Sequence, residues 1–180
     1  AGGSCGTTIT YTAGGTQANN SAAVIMEDPT ALESVCIDAR PTAAVAWLGG
    51  IYVPGGAEAQ VYDAIVAVDG DGLGNNIYGV QAAGASELTL GLSWFDVTNA
   101  VASDWGVRAQ AGAIASVAST EIIGSPAVQF EGGATQVATD NLVRGSLTIS
   151  GTGARFINNQ VNGAVNDGDP ATNCRANYDE

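Results

Sequence analysis

The stretch Leu88-Thr89-Leu90-Gly91-Leu92-Ser93-Trp94 puts a large apolar residue at every second position, with small or polar residues between. Period two is the signature of a strand with one buried face and one wet face. In that phase Trp94 travels with Leu88, Leu90 and Leu92, which assigns it to the core. The same alternation recurs in Val107-Arg108-Ala109-Gln110-Ala111, in Thr8-Ile9-Thr10-Tyr11-Thr12 and in Leu147-Thr148-Ile149-Ser150. Residues 43–53, which include Trp47, and residues 61–68 are apolar at most positions and read as central strands buried on both faces.

Turn-forming residues punctuate these runs: Gly49-Gly50, Pro54-Gly55-Gly56, Asp69-Gly70-Asp71-Gly72 and Gly132-Gly133. Short strands at this spacing predict an all-β fold with antiparallel two-sheet packing, a sandwich or barrel of the jelly-roll or immunoglobulin-like kind. One short helix at most is expected, near residues 29–36, where Asp28 can cap and Pro29 suits the first helical position. No linker, charge block or internal repeat stands out, so residues 1–180 read as one domain.

Composition narrows the function classes. The chain has five arginines, no lysine, no histidine and 18 acidic residues, a formal net charge of -13. Such a chain repels phosphate backbones and anionic lipid surfaces, which argues against nucleic-acid and membrane partners. No apolar run approaches the roughly 18 residues of a spanning helix. Without histidine there is no Ser-His-Asp or Cys-His pair, and without lysine no Schiff base. Carboxylates remain as acids and bases. A two-carboxylate glycoside hydrolase drawing on Glu87, Glu131, Asp63 or Asp96 is the least favoured reading, because the chain is only 6% aromatic and sugar clefts need aromatic platforms. A non-enzyme is expected.

The small-residue opening Ala1-Gly2-Gly3-Ser4 fits processing by removal of a signal peptide, and so an extracellular or cell-surface location. Three cysteines, Cys5, Cys36 and Cys174, form no C-x-x-C pattern. The preferred disulfide is Cys5 with Cys36, which would pin the N-terminal strand; Cys36 with Cys174 is the alternative. The clearest ligand-like motif is Asp69-Gly70-Asp71-Gly72-Leu73-Gly74-Asn75-Asn76. Its Asp69, Asp71 and Asn75 are candidate Ca²⁺ ligands, although the glutamate that would close an EF-hand-type loop is missing. Trp105, between Ser103-Asp104 and Gly106, is the candidate exposed aromatic for a sugar or partner.

These features favour a non-catalytic extracellular structural subunit that assembles with copies of itself into a pilus-like filament, a surface layer or a shell. A sandwich with few charges and no lysine leaves its edge strands unguarded. Residues 1–15 are expected to act as an extended strand that pairs with a neighbouring subunit, burying Ile9 and Tyr11 there. The alternative is a secreted carbohydrate- or calcium-binding β-sandwich module.

Overall fold

The structure is a computed structural model that describes residues 5–14, 21–27, 29–132, 136–150, 153–167, 173–175 and 178–179. The chain visits three sheets in strict rotation. Strands β1 (Thr7–Ala13), β2 (Ala22–Ile25) and β3 (Thr30–Glu33) make the first circuit, and β4 (Val35–Pro41), β5 (Val45–Val53) and β6 (Glu58–Tyr62) the second. Then come β7 (Ile65–Asp69), β8 (Gly74–Ala82) and β9 (Glu87–Gly91), followed by β10 (Trp94–Thr98), β11 (Ser103–Ala109) and β12 (Ile114–Ala118). The next are β13 (Glu121–Ile123), β14 (Val128–Phe130), β15 (Gln136–Thr139), β16 (Leu142–Arg144), β17 (Leu147–Ile149) and β18 (Arg155–Ile157). The series ends with β19 (Gln160–Asn162), β20 (Val165–Asp167), β21 (Asn173–Arg175) and β22 (Tyr178–Asp179). Every third strand stacks on the one before. Sheet A runs β1 to β22 with eight strands, sheet B runs β2 to β20 with seven, and sheet C runs β3 to β21 with seven.

This is a parallel β-solenoid, and the expected antiparallel sandwich or barrel is wrong. All strand pairs are parallel, β1 with β4 and β4 with β7 among them. Alternation establishes that a segment is a strand but carries no information on the direction of its partner. The glycine and Asp-Gly turns that read as hairpins instead swing the chain into the next sheet. Each return to the same sheet takes a full circuit, which supplies the long crossover that parallel pairing requires. An internal repeat is therefore present after all. Thr7 faces Val35, Cys36 faces Ile65, Ile65 faces Trp94, Trp94 faces Glu121, Glu121 faces Leu142, and Leu142 faces Gln160. The circuit thus holds 28, 29, 29, 27, 21 and then 18 residues. Changing circuit length hides the repeat from inspection.

The expected helix is also absent. Within residues 29–36, Thr30–Glu33 is β3, Ser34 turns a corner and Val35 opens β4. Thr30 lies against Ala59 and Glu33 against Tyr62. An isolated two-turn helix bears the full nucleation cost, and in-register ladder bonds displace it. Asp28, its expected cap, lies outside the described residues.

Inward-facing residues stack in columns. In sheet A one column is Ile9, Ile37, Val66, Phe95, Ile122, Val143 and Val161, each matched to the next by register. Sheet C contributes Val61, Leu90, Val117, Ala138 and Phe156, and the Phe156 ring meets Phe130 of sheet B at 5.1 Å. The Ala- and Val-rich composition suits a narrow interior closed on three sides. Midway along the longer strands of sheet B, Gly50, Gly79 and Gly106 stack on one another, and no side chain fits between them. A Cβ on Gly79 would stand 2.6 Å from the Gly106 carbonyl oxygen and 2.7 Å from Phe95 Cδ1. Gly79→Ala is therefore expected to cost about 1–3 kcal/mol, read as a lower urea midpoint. Gly6→Ala, whose nearest neighbour would be an ordinary 3.5 Å away, should be close to neutral.

Candidate functional site

The corner between sheets C and A repeats on successive circuits, and a groove lies beside it. Ser34, Asp63, Leu92, Ser119, Asp140 and Asn158 occupy equivalent corner positions, all left-handed with φ between 50 and 56°. Five of them point the N–H up the stack: Ser34 to Tyr62 O, Asp63 to Gly91 O, Leu92 to Ala118 O, Ser119 to Thr139 O and Asp140 to Ile157 O, at 3.2–3.3 Å. The next residue faces inward. In that position Ala64, Ser93, Thr120, Asn141 and Asn159 form a buried ladder that turns polar along the coil. The Ala64 N–H donates to Ser93 Oγ at 3.1 Å, and the Thr120 N–H to Asn141 Oδ1 at 3.0 Å. Asn141 Nδ2 donates to Asn159 Oδ1 at 2.9 Å and to Val117 O at 3.0 Å. Among the described residues no buried side-chain nitrogen or oxygen lacks a partner.

Outside this corner runs a groove of about 410 Å³ spanning four successive circuits. With a strand spacing of about 4.8 Å, those circuits extend roughly 14 Å along the axis. Ile65, Trp94 and Leu142 form a half-buried apolar floor, and Leu92 stands at the edge with 70% of its surface exposed. Asp63, Glu121 and Asp140 are the acids of its lining. Each already accepts one hydrogen bond: Asp63 from Ser34 Oγ at 2.7 Å, Glu121 from Arg144 Nε at 2.7 Å, and Asp140 from Asn158 Nδ2. On the same outer face Asp96 stacks between Ala67 and Ile123. Burial pushes its carboxyl above the ordinary range, reinforced by the charges of Asp69 and Glu121.

Leu92, Ser93 and Trp94, the end of the alternating stretch that begins at Leu88, belong to the groove lining. Leu88 and Leu90 are buried, but the strand ends at Gly91 and turns at Leu92. The turn shifts the phase, so Trp94 faces outward where alternation had placed it in the core. Trp105 is 8% exposed. It lies in β11, its ring stacked on Trp47 at 5.9 Å with the Arg108 guanidinium 4.5 Å above it. Arg108 also binds Glu131, with Nε to Oε1 at 2.7 Å, and its Nη1 donates to Gln81 Oε1 at 3.2 Å. Trp105 Nε1 donates to Gln129. This cluster fills its own concavity, and Trp94 is the aromatic offered to the groove.

The remaining sequence candidates are dispersed. Asp69 Oδ1 accepts the Asp71 N–H and Asn99 Nδ2, both at 2.9 Å, which closes the loop as an Asx turn. Asp71 and Asn75 are exposed. Among the described residues no group of three or more Cys, Asp or Glu side chains gathers as a metal set. Glu87 is exposed on sheet C directly above Glu58, while Glu131 lies at the exit of sheet B, so these two acids sit on different faces from Asp63 and Asp96. Cys5 is bonded to Cys36, with Cα atoms 5.5 Å apart, fastening the start of β1 to β4. Ile9 and Tyr11 of β1 pack half-buried against the core of their own chain. Cys174 falls in β21, where the side chain lies outside the described residues.

Comparison with family models, with curated proteins and with solved structures finds no match to this chain.

Two carboxylates give opposite pH expectations. Hydrogen bonds from Asn99 and then the Asp71 N–H hold Asp69 below the ordinary carboxylate range. Its contribution is present above the unfolded-state value and is lost as pH falls through the lower folded value. Asp69→Ala should therefore lower the thermal midpoint at neutral pH, with the gap to wild type closing in acid. Asp96 is shifted the other way, so its ionised form opposes folding above the ordinary carboxylate range. Asp96→Asn should raise the midpoint at neutral pH, and that gain should vanish once Asp96 is protonated in both states. Melting curves across a pH series check both.

Proposed function

We propose that this protein is a non-catalytic binding scaffold that holds a neutral saccharide chain along the groove at the corner of sheets C and A. The observation that carries the reading is the outward-facing Trp94 on an apolar floor within a groove about 410 Å³ in volume, lined also by Asp63, Glu121 and Asp140. An indole takes the C–H face of a sugar ring, and carboxylate oxygens accept its hydroxyl protons. Glu121 is paired with Arg144, while Asp63 and Asp140 accept bonds from a hydroxyl and an amide. Each of these carboxylates keeps an oxygen able to accept a hydroxyl proton. The groove follows the coil axis, which suits a linear polymer. The Cys5–Cys36 bond supports an oxidising compartment, and so the extracellular location expected from the sequence.

Affinity electrophoresis through gels containing dextran, xylan, galactomannan or hydroxyethyl cellulose tests this. At least one neutral polysaccharide should retard the protein, and Trp94→Ala should abolish the retardation without changing the melting temperature by more than a few degrees. Retardation by poly-arginine alone would replace the saccharide with a basic peptide.

Assembly with copies of itself is the second reading, and a different observation favours it. The first strands of the three sheets, β1, β2 and β3, each have a hydrogen-bonded neighbour on one side only among the described residues. Ile25 of β2 is 47% exposed there. The strand exchange inferred from the sequence has to be recast, because β1 pairs in full register with β4 of its own chain. What it offers a neighbour is its outer edge, and stacking end to end extends a fibre without closing it. Sedimentation velocity across a concentration series should show oligomers that Thr10→Pro, a break in that edge, dissociates. A monomer at every concentration would remove this reading.

A further inference from the structure

We propose that Leu92 is a ligand-contacting, specificity-determining residue kept at a strained corner position at the expense of the fold. This inference rests on the groove reading above and deepens it: the saccharide presents an apolar ring face to Leu92 and Trp94 together.

Leu92 is the exception in the corner column. The six members of that column share one left-handed conformation, and five of them are Ser, Asp or Asn. Asp and Asn are the side chains that adopt positive φ most readily after glycine, and the Ser34 hydroxyl bonds to the next corner residue. Leucine has no such compensation, because its Cβ and branched γ-carbon crowd the neighbouring carbonyl. The column also has a side-chain logic. Ser34 Oγ donates to Asp63, and Asn158 Nδ2 donates to Asp140, so corner neighbours on successive circuits bond to each other. Leu92 stands between Asp63 and Ser119 in this column and can bond to neither.

Strain of this kind is tolerated where packing repays it. Here packing does not, since Leu92 has the greatest exposure of the large hydrophobic residues in the described chain, 70%. Its one main-chain obligation, the N–H bond to Ala118 O at 3.3 Å, would be met by any residue but proline. An apolar side chain that the fold neither buries nor needs lies on the lining of the groove, two residues from Trp94 on the same chain. Burying it against a ligand repays its hydration cost, and a hydroxyl-rich but apolar-faced ring is the partner that uses both Leu92 and the acids of the lining.

Leu92→Asn separates the two roles. Asparagine tolerates the corner conformation and can reach Asp63 or Ser119, so the thermal midpoint of the full chain should rise. Binding to whichever polysaccharide retards the wild type should weaken by about tenfold or more. A midpoint that falls in Leu92→Asn shows that the leucine serves the fold and overturns the inference without any ligand in the assay. A raised midpoint with unchanged retardation also overturns it, and if Trp94→Ala still abolishes binding, the groove reading survives alone. A wild type that none of the polysaccharides retards overturns the groove reading and this inference with it.

Discussion

Every circuit of the coil must turn the same corner at the same height, because a parallel stack passes its main-chain donors and acceptors only to the circuits above and below. The left-handed residues from Ser34 to Asn158 meet that constraint. Each turns the chain from sheet C into sheet A, and Ser34, Asp63, Leu92, Ser119 and Asp140 point their N–H up the stack. Once the corner is fixed, register follows, since a slip by one residue would turn every buried column outward. The aliphatic columns of the three sheets are consequences of that register.

The corner also explains why the interior changes character along the chain. As circuits shorten from 29 residues to 18, strands shrink to three residues and fewer side chains are available to fill the space behind the turn. The inward position after the corner passes from Ala64 through Ser93 and Thr120 to Asn141 and Asn159. An asparagine there satisfies its own amide by bonding to the strand end of the preceding circuit and to its counterpart in the stack. A buried amide is costly unless every group is paired, and a stack of identical amides pairs them by translation.

Strand content was legible in the sequence, and the Cys5–Cys36 bond in the structure is one of the two pairings the sequence left open. Direction and sheet membership were not. Residues 61–68 read as one doubly buried strand, but they are the end of β6, the corner at Asp63 and the start of β7. A corner that reverses which face is inward produces an apolar run with no alternation, the same pattern that a central strand leaves. The same effect moved Trp94 out of the core and into the groove. A signal was available in Asp140-Asn141 and Asn158-Asn159, which repeat at the interval of 18 residues with Gly145 and Gly163 in step. That interval holds only for the last circuits, so no single period fits the whole chain. Trp105 misled for a different reason: flanking turn residues suggested exposure, but Trp47 and the Arg108 guanidinium cover its ring.

Stacking applies to the outer face as well, and there it works against so acidic a chain. Like charges in register repel along the whole coil, and with five arginines against 18 acids, ion pairs cannot neutralise them. One outer row of sheet A shows a solution: Asp38, Ala67 and Asp96 alternate acid with alanine, so no two carboxylates stack directly. Glu87 above Glu58 is a place where this spacing fails, and both side chains stand exposed, where solvent screens them. Elsewhere hydroxyls and amides substitute for cations. Ser34 bonds to Asp63, Asn99 to Asp69 and Asn158 to Asp140. Such partners orient a carboxylate without cancelling its charge or filling its second oxygen. A corner column built in this way is a row of fixed acceptors beside an apolar floor, and that chemistry follows from a chain with no lysine having to order its acids by other means.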